Sequence, residues 1–109
     1  MSFYETTKAD WKLFQQLLPD WQERHMELLC DEYAAILTGP QRGSHAFWEI
    51  EKRIKADRKH PGVIVRMEKK EMPYIILDLI RDNVITLGDL DGFSDGLKER
   101  LDNLMEFWS

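Results

Sequence analysis

The residues of this 109-residue chain best suited to hold a metal or act as nucleophiles are its three histidines and its single cysteine. His25 and Cys30 stand five apart, so they do not stack on one helix face. His45 falls in a loop or a first helical turn, and His60 precedes a proline at a break in the helical pattern. None of the spacings used by zinc, Cys-x2-Cys or His-x3-His, occurs. Cys30 therefore reads as a packed or partly exposed thiol, and neither a metal nor a cofactor is expected. There is no Gly-x-Ser-x-Gly elbow, and Ser44 and Ser94 stand where helix caps belong. Gly88, Gly92 and Gly96 are spaced by four across two capped helices, whereas a phosphate cradle needs its glycines clustered ahead of one helix. Glu23, Glu27 and Asp31 form an i, i+4, i+8 row. No apolar surroundings in sequence would split their proton affinities, so the row reads as a solvated face and not as a general acid–base pair. No catalytic residue is assigned, and a non-enzymatic protein is expected.

The basic segment is the most pointed feature. Between Lys52 and Lys70 there are eight Lys and Arg residues against two acids, while the rest of the chain carries seven basic and eighteen acidic residues. Lys52, Lys55, Arg58, Lys59, His60, Lys69 and Lys70 are the candidate contacts to an acidic partner or an anion. Against nucleic-acid binding stand Glu49 and Glu51 just before the segment, the acidity of the remainder, and the lack of a stacking aromatic between Lys52 and Lys70. Charge balancing within the fold or a dimer is the plainer reading. A helix-turn-helix from Ile75 to Leu104 is rejected, because Asp95, Glu99, Asp102 and Glu106 would put the wrong sign in a major groove. Four tryptophans exceed what one small core holds comfortably, and Phe107 with Trp108 are the candidate interface aromatics.

These groups must be positioned by helices. Good helix formers (Ala, Leu, Met, Glu, Lys, Arg, Gln) number 52 of 109 residues, against 15 Ile, Val and Thr. Thr7 opens a first helix carrying Trp11, Phe14, Leu17 and Leu18, which Pro19 is expected to end. Asp20 with Glu23 starts a second, running to about Thr38 with Leu29, Tyr33, Ile36 and Leu37 on one side. Ser44 caps a third, whose buried face is Phe47, Ile50 and Ile54 with Trp48 beside them, and His60-Pro61-Gly62 breaks the chain. Residues 63–72 are read as helix, since the short run Val63-Ile64-Val65 has no clear strand partner. Pro73 opens a helix with Ile76, Leu77, Ile80 and Val84 inward. Thr86 with Asp89 caps a short one, and Ser94 caps the last, carrying Leu97, Leu101, Leu104 and Met105. The expectation is an all-α protein, a single domain over residues 1–109 folded as a compact orthogonal bundle of five or six short helices.

No apolar stretch approaches the roughly 20 residues of a membrane span. The N-terminal stretch does not read as a signal peptide, and a lone cysteine forms no intrachain disulfide, so a cytoplasmic location is expected. Leu18-Pro19-Asp20-Trp21-Gln22-Glu23-Arg24, the stretch from Phe47-Trp48-Glu49 through Arg58-Lys59-His60-Pro61-Gly62-Val63, and that from Ile85-Thr86 through Phe93-Ser94-Asp95 resemble short, uncharacterised helical proteins of Gram-positive bacteria. Some of those carry a transporter-type label, at odds with the lack of a membrane span. The resemblance implies a small cytosolic bacterial protein and transfers no active site. The leading functional expectation is a protein–protein interaction module, with a homodimer as one form. The alternatives are a nucleic-acid-linked regulator, acting through phosphate contact by the basic segment or acidic mimicry, and a small-molecule-binding or enzymatic domain.

Overall fold

The computed structural model describes residues 4–108, with the side chain of Trp108 outside the description. Four α-helices make up its framework: α1 (Lys8–Leu37), α2 (Gly43–Asp57), α3 (Met72–Arg81) and α4 (Asp95–Trp108), with 3-10 turns at Lys69–Glu71 and Leu87–Leu90. No strand occurs among the described residues. All-α is therefore the fold class, with four α-helices where five or six are expected. The shape is elongated, 55 × 29 × 22 Å with a radius of gyration of 17.0 Å, against about 13 Å for a compact domain of this length.

The elongation comes from α1. Its 30 residues run through Pro19 without a break, so the two helices expected on either side of that proline are one. An interior proline costs about 3 kcal/mol. Here Phe14, Leu18 and Trp21 are all buried around it in one core, and that packing holds Leu18 helical against the bias a following proline imposes. The core cluster is made by these three residues with Met72, Ile76, Leu77 and Leu79 of α3, Val84, Ile85, Leu90 and Phe93 of the following loops, and Leu97, Leu101 and Leu104 of α4. Every member lies in residues 14–21 or 72–104. The rest of α1 leaves this core and pairs antiparallel with α2, forming a helical hairpin.

Local signals mostly act as the sequence suggests. The Thr7 hydroxyl accepts from the Asp10 N–H at 3.1 Å, Thr86 and Asp89 form a reciprocal capping box, and Ser94 Oγ accepts from the Leu97 N–H at 3.3 Å. Ser44 does not cap; α2 begins one residue earlier, at Gly43, after Arg42, without a side-chain cap. Asn83 ends α3 in the left-handed region at φ 61°, and the Val84 N–H returns to the Leu79 carbonyl at 2.8 Å. Residues 64–68, expected as helix, are irregular. Val65 packs on the core, while Ile64, Arg66, Met67 and Glu68 are exposed, so water satisfies the backbone that a buried strand would have to pair.

Asp10 is the buried charged residue of the core end, 3% exposed. Its carboxylate accepts from Tyr4 Oη at 2.7 Å, Ser94 Oγ at 2.5 Å and the Ser94 N–H at 3.0 Å. Burial pushes its pKa up, but the hydrogen bonds from Ser94 and Tyr4 together outweigh burial and hold the group below its ordinary value. Burial and the bond to Asp10 push Tyr4 up to about 12. The network ties the chain before α1 and the start of α4 to one point on α1, which is a structural task.

Candidate functional site

The hairpin positions most of the residues that the sequence singles out. Its seam is polar. Tyr33 Oη donates to Asp57 across it, and Arg53 Nε lies 3.6 Å from Asp57 and its guanidinium 3.5 Å from Glu32. The guanidinium carbon sits 5.5 Å from the centre of the Tyr33 ring. Burial and the bond to Asp57 push Tyr33 up to about 12. Leu29 and Ala46 are the buried hydrophobic residues of the hairpin.

The root of the hairpin is closed by the turn after α2. The rings of His25 and His60 stack at 4.6 Å with 6° between their planes. His60 Nδ1 accepts from the Gly62 N–H at 3.0 Å, and Gln22 Nε2 donates to the Pro61 carbonyl at 3.1 Å. A Cβ on Gly62 would lie 2.2 Å from His25 Cδ2, so only glycine lets the turn approach this closely. Burial first, then the facing His60, lowers the pKa of His25, opposed by Asp57 and Glu32.

Along one side of the hairpin the apolar stripes of both helices lie open. Phe47 is 63% exposed, Leu37 61% and Ile54 46%, while Trp48, also exposed, lies on another side of α2 beside His45 and Lys52. Phe47, Ile50 and Ile54 do share a face with Leu37, but no element among the described residues covers it, which corrects the buried face expected for this helix. The face continues past Ile54 into an almost wholly apolar groove walled by Met26, Leu29, Cys30, Tyr33 and Val63. The sequence signal was present, since the i, i+3, i+7 pattern marks an apolar face; it does not say which chain covers it.

The basic segment divides. Lys52, Lys55, Arg58 and Lys59 are exposed on α2 and just beyond it, with Lys55 and Arg58 on the rim of the apolar face. His60 is turned into the stack with His25, its Nδ1 already used. Lys69 and Lys70 stand at the core end, in a cleft with Tyr4, Tyr74 and Arg100. Lys59 and Arg66 share another cleft with Glu68, Glu71, Asp78 and Asp82. The seven candidates thus do not converge: Lys52, Lys55 and Arg58 lie on the hairpin, Lys59 beside carboxylates, His60 in the ring stack, and Lys69 and Lys70 at the core end. Phe107 is 82% exposed near the end of α4; the side chain of Trp108 lies outside the described residues.

Among the described residues no group of three or more His, Cys, Asp or Glu is placed to hold a metal ion, and no helix is long and apolar enough to cross a membrane. Comparison with known proteins finds no family model, no curated protein and no solved structure that matches the chain.

Proposed function

We propose that the protein is a non-enzymatic interaction module that works by docking protein against the open side of the α1–α2 hairpin. The observation that carries this reading is the exposure of Leu37, Phe47 and Ile54 on a single face. Burying a side chain of this size stabilises by roughly 1.5–3 kcal/mol; for three that are about half exposed already, the gain on covering them is on the order of 1 kcal/mol each. Isolated exposed apolar residues need no explanation, but a contiguous set on a protruding arm marks an interaction surface. In this reading the orthogonal packing of helices belongs to the core end, which is the platform, and the hairpin is the working arm. A cytosolic bacterial setting is part of the same proposal; the lone cysteine and the resemblance to Gram-positive proteins support it. The test is capture of a protein partner by the wild type and by Ile54→Glu, with circular dichroism as a check on folding. Loss of capture by a folded variant is the expected result; undiminished capture would contradict the reading.

A second reading, a nucleic-acid-linked regulator, is favoured by the row of exposed Lys52, Lys55, Arg58 and Lys59. It requires affinity for DNA or RNA that falls steeply with salt and drops on Lys55→Glu. Absence of binding at low salt would end it.

A further inference from the structure

We infer that the occupant of the open hairpin face is a second copy of this chain, docked face to face as a four-helix bundle in which α1 of each copy lies against α2 of the other. The inference rests on the proposed reading of the hairpin as a docking surface, and charge placement supplies the identity of the partner.

A helix turns through about 100° per residue. On α1, Met26, Cys30, Tyr33 and Leu37 form the stripe that faces the groove, and Glu32 reaches toward α2. Glu23, Glu27 and Asp31 then fall on the opposite side of that stripe, roughly 100° around from it and away from α2. On α2, Phe47, Ile50 and Ile54 face the same groove and Arg53 and Asp57 reach toward α1. Lys52 and Lys55 fall on the outer side by the same count, and Arg58 stands on the rim of the groove. The apolar face is therefore bounded by an acidic ridge along α1 and, along α2, by Lys52, Lys55 and Arg58 with Glu51 among them. The three acids on α1 and the three bases on α2 are exposed, and none of the ion pairs of the described residues uses them.

Two hairpins stacked face to face about a two-fold axis have two choices. An axis across the helices puts α1 over α1 and acid against acid. An axis along the helices puts α1 over α2, antiparallel, and meets each acidic ridge with a basic one on both edges at once. The heights agree with the second choice. The contacts of Tyr33 with Asp57 and of His25 with His60 set the level of α1 against α2, and an axis along the helices preserves those levels. Asp31 is then beside Lys55 of the second copy, and Glu27 beside its Arg58. Self-complementarity of this kind is what an isologous interface requires.

Sedimentation equilibrium on the full chain tests the arrangement with two double variants, Glu27→Lys with Asp31→Lys, and Lys55→Glu with Arg58→Glu. The wild type is expected to dimerise, and each double variant alone to associate at least about tenfold more weakly. An equimolar mixture of the two variants is expected to recover a heterodimer, an outcome that misfolding cannot imitate. A wild type that stays monomeric at about 100 μM, variants that dimerise as tightly as the wild type, or a mixture that stays monomeric would each overturn the inference. A photo-crosslinking residue in place of Phe47, used in cells that carry the gene, separates this inference from the reading beneath it. An adduct with a second copy supports both. An adduct only with a different protein overturns self-pairing and leaves the docking surface standing, and no protein adduct overturns both.

Discussion

The two ends of α1 are built from the same kind of stripe and come to opposite ends. At the core end, Trp11, Phe14, Leu17 and Leu18 meet α3 and α4, and Phe14 has no exposed surface. At the hairpin end, the stripe through Tyr33 and Leu37 meets one helix only, and α2 leaves Phe47, Trp48 and Ile54 in water. Polar groups divide the same way. The core end has one buried carboxylate, its oxygens satisfied by Tyr4 and Ser94. The hairpin carries its ions at a half-exposed seam, where pairs contribute little to stability. Stability belongs to one end and, on the proposed reading, recognition to the other.

Substitutions sharpen the contrast. Leu97→Ala, at a side chain with no exposed surface, is expected to destabilise by about 4 kcal/mol in chemical denaturation, whereas Ile54→Ala should cost less than about 1 kcal/mol in the monomer. Similar losses at both sites would show that the hairpin is as integral to the core as α4. Asp10→Asn comes next, at roughly 2–3 kcal/mol, because it weakens charge-assisted bonds from Ser94 and Tyr4 in a buried place. Gly62→Ala should follow at about 1–2 kcal/mol, since its Cβ displaces the His25 ring; hydrogen exchange should localise the loss to the hairpin root and leave α3 and α4 protected.

The smallest effect is on pH. Burial and His60 hold His25 below its ordinary 6.5. Unfolding restores the ordinary value, so below about pH 6.5 the unfolded chain binds a proton that the folded chain resists. The His25 contribution is present above that pH and declines as pH falls, and Tm should drop between about pH 7 and 5. His25→Gln should flatten that drop. Asp10, also lowered, acts in a separate window below its ordinary 3.8. An equal drop in wild type and variant would assign the dependence elsewhere.

Much of this was legible from the chain. Composition points to helices, and Thr7, Thr86 and Ser94 cap by local chemistry that needs no partner far away. Pro19 was not legible, because the break it favours is a local preference of about 3 kcal/mol overridden by contacts with residues more than fifty positions on, such as Met72 and Leu97. Residues 63–72 misled because a run as short as Val63-Ile64-Val65 carries no period of its own. Phe47, Ile50 and Ile54 form one face as their spacing implies, but amphipathic spacing records only that a face is apolar, not that it is covered. Of the basic residues, Lys52 and Lys55 share the outer side of α2 as their spacing implies, while Lys59, His60, Lys69 and Lys70 are carried off by the turn that ends α2 and the irregular segment after it.

The most direct test uses the chain's single thiol, Cys30, which is exposed and lies on the wall of the open groove. Its alkylation rate is to be measured in dilute purified protein and in cells that carry the gene, for the wild type and for Ile54→Glu. Docking on the hairpin predicts that Cys30 is protected roughly tenfold or more in cells and that Ile54→Glu abolishes the protection. Equal rates in both settings for the folded wild type would contradict it.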